Sequence, residues 1–330
     1  MTFTAQDAAS WLANPRATRE TLEAFGLATK HRLGQNFLVE DNIIRKIIRL
    51  AELTSDDVVL EVGPGLGTLT VAMLDYVRAV CSIEADRELE GVLATTCKEP
   101  HRDSFVLCMG DALKATPRLV GDAYASLGVF ADVEGKEESG ALIGPNKFVS
   151  NLPYQVAATL ILLFFQEFAT LEQAVVMVQA EVADRIAAKP GTKAYGAYTA
   201  KLALYAQVSG RFEVAPGNFM PPPRVNSAVV RLERAPMTDP SGTGVLTSEQ
   251  LFWVARVIDA AFAQRRKTIR NSMGASGFKK DTLERALLAA HIEPTVRAEA
   301  LGVKDFVHLA MALAEGGAYG EETAFVHGRR

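Results

Sequence analysis

This 330-residue chain has only three cysteines and five histidines. Cys81, Cys97 and Cys108 lack any ligand spacing, and His31, His101, His291, His308 and His327 are scattered, so neither a metal site nor a disulfide framework is expected. An odd, sparse cysteine count suits a reducing, cytoplasmic compartment. Long apolar runs are missing too. The longest, Leu160–Phe165, is far below the roughly 20 residues that span a bilayer, and no apolar h-region opens the chain. Neither a membrane helix nor an export signal is therefore expected. Positive charge is not in excess: 35 Lys and Arg against 39 Asp and Glu leave a net charge of −4, so any surface for a polyanion must be local. What is abundant is core-forming material. Hydrophobic residues make up 48%, and the length allows one large domain and a smaller one.

The chain is organised around Val58–Val59–Leu60–Glu61–Val62–Gly63–Pro64–Gly65–Leu66–Gly67. An apolar, mostly β-branched run enters a glycine cluster, and an amphipathic segment from Leu69 to Val77 follows, which reads as buried strand, tight turn and helix. Dinucleotide sites use G-x-G-x-x-G with the pyrophosphate on the helix N-terminus. Here the spacing is G-x-G-x-G, an acid precedes it, and no basic residue stands in the turn for phosphate. A cationic ligand without phosphates fits better than NAD, and S-adenosylmethionine (SAM) is such a ligand. A glycine-rich turn that binds nothing is the plain alternative.

Further strands point their ends at the same edge. Ala79–Ile83 ends in Glu84, 21 residues beyond Gly63, where a carboxylate can accept both hydroxyls of a ribose. Ser104–Met109 ends in Gly110–Asp111, where a second carboxylate can accept from an adenine amine. Alone, each is an ordinary surface acid or turn. Upstream, Gln35–Asn36 reads either as a lid over the ligand or as a loop packed on the core, and Asp41 as the cap of a helix over Asn42–Leu50. Residues 114–146 read as a variable insertion with a short helix over Arg118–Leu127 and an acidic tip at Asp132–Ser139.

A strand over Lys147–Ser150 runs into Asn151–Leu152–Pro153–Tyr154. The Asn151 side-chain oxygen can accept one N–H of an exocyclic amine. Proline donates no N–H, and the carbonyl of Leu152 or Pro153 can accept the other. Tyr154 offers a face on which a base can stack. Two acceptors draw the amine lone pair out of conjugation with the ring and aim it at a methyl donor, with no metal and no strong base. The bland reading is a turn with a packing tyrosine; its place at a strand end beside the other candidates argues against that. Phe219, in a proline-rich segment ending in Pro221–Pro222–Pro223–Arg224, reads equally as a second wall of a base pocket or as a core plug. With further strands at Ala174–Val178, Val208–Val214 and Ser227–Leu232, the fold class is α/β: a mostly parallel, seven-stranded, Rossmann-like sheet with an antiparallel strand at the end.

Residues 236–247 have linker composition, and only helical patterns follow to 315, with a loose tail over 316–330. Gln264–Arg265–Arg266–Lys267–Thr268–Ile269–Arg270, with Arg256, Lys279 and Lys280, is the densest positive charge in the chain. In an acidic protein this favours a phosphate-backbone contact over a merely solvated helix face.

Together these stretches resemble the bacterial small-subunit rRNA adenine dimethyltransferases, the family tied to kasugamycin sensitivity, over about Lys30–Ala314. The resemblance is carried by residues 32–38, 61–67, 151–154, 221–232 and 262–272; the last two are highly specific, the glycine turn alone is not. It implies a class I SAM-dependent methyltransferase domain over 30–235 after an N-terminal extension (1–29), and a smaller all-α domain over 248–315 that helps to dock a partly assembled small subunit. The implied reaction is dimethylation of the N6 amines of two adjacent adenosines near the 3′ end of 16S rRNA, using four SAM and releasing S-adenosylhomocysteine. By resemblance, Asn36, Leu38, Gly63, Gly65, Glu84, Asp111 and Asn151 contact SAM. Asn151, Leu152, Pro153, Tyr154 and Phe219 hold the target base, which must leave its stack. Arg265, Arg266, Lys267 and Arg270 meet RNA. Gln155 stands where many members carry Asn, and the 114–146 region is longer than in compact members. No membrane or metal is implied, and a monomer is the default. The rivals are a large-subunit rRNA methylase of the antibiotic-resistance type, disfavoured by residues 265–272, and a non-catalytic assembly factor on the same fold.

Overall fold

A computed structural model describes residues 9–27, 35–131 and 141–318. The basic start of the 30–38 stretch, the acidic tip at 132–139 and most of the C-terminal tail lie outside them. In chain order the elements are α1 (Pro15–Ala24), β1 (Phe37–Leu38), α2 (Asp41–Ala51), β2 (Val58–Val62), α3 (Thr68–Leu74), β3 (Ala79–Glu84), α4 (Glu90–Leu93), β4 (Phe105–Met109), α5 (Pro117–Ala125), β5 (Lys147–Asn151), α6 (Ala157–Glu167), β6 (Gln173–Gln179), α7 (Ala180–Ile186), α8 (Ala197–Leu202), β7 (Ala206–Val214), β8 (Phe219–Met220), β9 (Ser227–Arg234), α9 (Ser248–Phe262), α10 (Ile269–Ala275), α11 (Lys280–Ala289) and α12 (Val303–Glu315).

Seven strands form one sheet in the order β4-β3-β2-β5-β6-β9-β7. β2, β3, β4, β5 and β6 run parallel, and β9 pairs antiparallel with β6 from Gln179↔Ser227 to Gln173↔Glu233. The strand order reverses at β2, whose neighbours are β3 and β5, so the ends of β2, β3, β4 and β5 border the crevice where open α/β sheets bind ligands. β2, wholly apolar but for Glu61, is buried along its length, as a central parallel strand covered on both faces must be. α2 places Ile43, Ile44, Ile47, Ile48 and Ala51 on one buried stripe, the 3.6-residue period of an amphipathic helix. Its N-cap is Glu40, whose side chain accepts from Asn42 N–H; Asp41, expected there, instead accepts from Ser10 N–H at 3.1 Å and pairs with Arg45 at 2.7 Å.

A two-residue pairing joins β1 to β8 outside the main sheet. Phe37 faces Met220 and Leu38 faces Phe219. Such short strands carry no periodicity to read; the pairing depends on chain segments about 180 residues apart in sequence.

The contacts divide the chain differently from the linear reading. One compact unit comprises Met1–Ala183 and Val208–Arg234; the other comprises Asp184–Gln207 and Ala235–Arg330. Residues 9–27 are thus part of the first unit, with Leu12 and Leu22 in its core. Residues 184–207, expected in the catalytic domain, pack within the second. There the Tyr195 hydroxyl donates to Leu301 O at 2.8 Å, Gly191 N–H donates to Glu299 O at 2.7 Å, and Lys201 pairs with Asp259 at 2.7 Å. The 236–247 stretch is not an open linker: Thr238 bridges to Val245, and Asp239 closes the loop by accepting from Thr243 N–H and the Ser241 hydroxyl. Among the described residues no helix is long and apolar enough to cross a membrane.

Candidate active site

A cavity of about 260 Å³ opens at the ends of β2, β3, β4 and β5. All seven residues expected to contact a cofactor line it: Asn36, Leu38, Gly63, Gly65, Glu84, Asp111 and Asn151. Leu152, Pro153 and Tyr154 line it as well. Phe219 does not. It is 4% exposed and belongs to the hydrophobic core, so the core-plug reading is the one the structure supports. Its strand partner Leu38, not Phe219 itself, reaches the cavity.

The glycine turn sits where side chains would collide. Gly63 takes φ +67° and Gly65 φ +62°, the left-handed region that costs other residues energy. A Cβ on Gly63 would lie 3.3 Å from Pro153 Cγ, and one on Gly65 would lie 3.2 Å from the Phe37 ring. The turn therefore touches the Asn-Leu-Pro-Tyr segment on one side and the 35–38 segment on the other.

Around the turn the charge is all of one sign. Glu61, 1% exposed, accepts from the Thr70 hydroxyl at 2.7 Å and the Ser82 hydroxyl at 2.6 Å. Burial still pushes its carboxyl up to about 7, because two hydroxyls do not replace the lost hydration, and nearby Glu84 adds repulsion. Burial raises Glu84 too, opposed by the backbone N–H groups of Asp86, Gly65 and Ala85 that point at its carboxylate. Asp111 uses Oδ1 to accept from Leu113 N–H at 3.0 Å, which holds the turn after β4. Asp86 was missed in the sequence: it also lines the cavity and accepts from Gln35 Nε2 at 2.8 Å. The signal was its position two residues beyond Glu84, on the same strand end. Among the described residues, four carboxylates and no Lys, Arg or His line the cavity.

The Asn-Leu-Pro-Tyr segment is held from several sides. Asn151 Nδ2 donates to Asn36 O at 3.4 Å. Leu152 N–H donates to Met177 O at 3.1 Å, continuing the ladder of β5 and β6. The Pro153 carbonyl accepts from Val156 N–H at 3.2 Å and Ala157 N–H at 3.1 Å as α6 begins. Between the two carbonyls left open by sequence, Pro153's is thus engaged, and Leu152's accepts no hydrogen bond among the described residues. The hydroxyls of Tyr154 and Ser227 share a hydrogen bond of 2.7 Å. Burial raises the Tyr154 phenol above its usual range, with Ser227 opposing.

This cavity fits the SAM expected from the sequence. Two glycines leave room for close approach, carboxylates wait at two strand ends, and the acidic lining suits a cation and repels phosphates. No group of three or more His, Cys, Asp or Glu among the described residues is arranged to hold a metal ion.

In the second unit, the basic cluster splits. Arg265 is occupied: it donates to Lys193 O at 2.7 Å and pairs with Glu299 at 3.3 Å. Arg270 lies 3.7 Å from Glu284. Arg266 and Lys267 are exposed, and their side chains make no hydrogen bond or ion pair among the described residues.

Residues 26–315 match the family model described as ribosomal RNA adenine dimethylase. The chain is 38% identical to the ribosomal RNA small subunit methyltransferase A of Kineococcus radiotolerans, over 92% of this chain and 93% of that protein. It is 39% identical to the protein of the same name from Acidothermus cellulolyticus, over 89% and 92%. Among solved structures, a dimethyladenosine transferase from Plasmodium falciparum superimposes with a TM-score of 0.65 at 23% identity, covering 84% of this chain and 96% of that one; that is a likeness of fold.

Proposed function

The chain belongs to the ribosomal RNA adenine dimethylase family, and from that premise we propose that it converts two adjacent adenosines near the 3′ end of 16S rRNA to N6,N6-dimethyladenosine during small-subunit assembly. Its fold is that of class I SAM-dependent methyltransferases, and it is an rRNA methyltransferase. The observation that carries the specific reading is that the acidic cavity at the strand ends and the Asn151–Tyr154 segment are one continuous site.

Glu84, Asp111, Gly63 and Gly65 would hold the nucleoside part of SAM, with Asn36, Leu38 and Asn151 against it. When bound, SAM supplies an electrophilic methyl whose bond to sulfur breaks as the bond to nitrogen forms. The chain's own residues handle the acceptor. Asn151 gives its Nδ2 to Asn36, which leaves Oδ1 to accept one N–H of the adenine amine. The Leu152 carbonyl accepts the second, and the Tyr154 ring stacks on the base. Both acceptors localise the lone pair on nitrogen. The amine becomes cationic as it is methylated and then loses its proton to water, so no strong base is required. Arg266 and Lys267 of the second unit supply phosphate contacts to the small subunit, and the protein acts as a monomer.

The test is transfer from labelled SAM to small subunits lacking the modification, to their naked rRNA and to large subunits, with product mapped by reverse-transcriptase arrest. Label doubled at neighbouring adenosines of the small subunit, lost about 10²-fold or more in Asn151→Ala, is the expected result. Label confined to large-subunit RNA overturns the substrate assignment. SAM binding without transfer to any acceptor overturns the chemistry.

A further inference from the structure

The 221–232 stretch is among the most specific in the sequence. Pro222, Arg224, Val225 and Asn226 are exposed; then, at the first residue of β9, burial becomes complete with Ser227 at 0% exposure. A fully buried hydroxyl must find a partner or be destabilising. Its partner is the Tyr154 hydroxyl at 2.7 Å, across 73 residues of sequence. Among the described residues Ser227 Oγ makes no other hydrogen bond. Ser227 itself is fixed: it stands opposite Gln179 at the end of the β6–β9 ladder, and the preceding Asn226 carbonyl accepts from Ala180 N–H at 2.9 Å.

We infer that Ser227 is a positioning residue for the acceptor base, which sets the plane of the Tyr154 ring by anchoring its far end to the sheet. The inference rests on the base-stacking role given to Tyr154 above. A tyrosine ring free at its hydroxyl can swing about its two side-chain torsions; one tied at both ends presents a single plane to the cavity. The ring then fixes the height and tilt at which an adenine meets the Asn151 and Leu152 acceptors.

The two methyl transfers do not depend on this plane equally. An unmodified adenine amine has two N–H groups and can satisfy both acceptors, which by themselves orient it. After one methyl is added, a single N–H remains. One acceptor then loses its partner, and the stacked ring must supply more of the orientation. A loosened Tyr154 should therefore impair the second transfer more than the first.

The experiment incubates unmethylated small subunits with excess SAM and quantifies N6-monomethyl- and N6,N6-dimethyladenosine by mass spectrometry of nuclease digests over a time course. Wild type, Ser227→Ala, Tyr154→Phe and the double variant are compared, with S-adenosylhomocysteine affinity measured for each by calorimetry. The expected result is a monomethyl-to-dimethyl ratio raised about five- to ten-fold in Ser227→Ala, the worth of one ordinary hydrogen bond. Tyr154→Phe should match it, the double variant should add nothing, and S-adenosylhomocysteine affinity should stay within two-fold. An unchanged ratio in Ser227→Ala overturns the inference while leaving the methyltransferase reading intact. So does an effect that adds to that of Tyr154→Phe, which marks independent action, or one accompanied by an equal loss of S-adenosylhomocysteine affinity, which marks general damage to the fold. No transfer by the wild type overturns both.

Discussion

Gly63 and Pro153 are in such close contact that a single added Cβ would stand 3.3 Å from the proline ring. The turn expected to cradle the methyl donor and the segment expected to hold the acceptor thus share a wall. Gly63→Ala would impose both this contact and a left-handed φ of +67° on a residue with a side chain. The expected outcome is a stability loss of about 1–3 kcal/mol. S-adenosylhomocysteine binding should weaken at least ~10-fold. Thermal melts and calorimetry check both.

Burial of Glu61 makes stability depend on pH. Its carboxyl holds a proton up to about 7 in the folded chain, against an ordinary 4.5. The folded state therefore binds the extra proton between those values. Its stabilising effect is complete below about 4.5 and is lost as pH rises to about 7, a fall on the order of 3 kcal/mol for the ligand-free protein. Glu61→Gln should flatten most of this slope in a pH series of denaturant melts; Glu84, raised in the same direction, should keep part of it. A cationic ligand reverses the preference. SAM should bind more tightly at pH 8 than at pH 6, and at pH 7 should release protons that calorimetry in buffers of different ionisation enthalpy detects, to a smaller extent in Glu61→Gln.

The basic cluster should divide by function as it does by geometry. Arg266→Ala and Lys267→Ala should each lower the magnitude of the salt dependence of small-subunit binding by about 1 in the slope of log K against log salt. Arg265→Ala should instead lower the melting temperature, because Arg265 is bonded to Lys193 O and Glu299 within its own unit. Binding isotherms at several salt concentrations, beside melts of the same variants, separate the two.

Phe219 tests the core assignment. Phe219→Ala should cost about 3–5 kcal/mol of stability, as large-to-small changes in a packed core do. Phe219→Leu should cost less and leave methyl transfer within about three-fold. Were Phe219 a stacking wall for the base, Phe219→Leu would lose the ~1–3 kcal/mol that such stacking is worth and slow transfer by about five-fold or more.

Much of this site was legible because its residues fall at the ends of recognisable strands. Glu84, Asp111 and Asn151 each close an apolar run, and in a parallel sheet such ends meet on one edge whatever the loops do. What was hidden depends on contacts between distant segments. Phe219 could not be assigned because its environment is set by β1, two residues long and without periodicity. Asp86 has no strand end of its own, and its place at the cavity rests on a contact across 51 residues, the hydrogen bond from Gln35. Residues 184–207 have the composition of the sheet's own helices, and only their bonds to Leu301, Glu299 and Asp259 place them in the other unit.

The β1–β8 pairing also fixes an order of events during synthesis. When the first 183 residues have left the ribosome, the chain already holds Glu61, Glu84, Asp86 and Asp111, the whole acidic lining of the crevice, together with Asn151. It lacks β8, the strand that clamps Phe37–Leu38, and Ser227, which anchors Tyr154. Those arrive only after the intervening stretch of the second unit, Asp184–Gln207, has been made. The wall of the crevice that Phe37 and Leu38 form is accordingly completed late in synthesis, and a nascent chain halted before residue 219 lacks the strand that pairs with it.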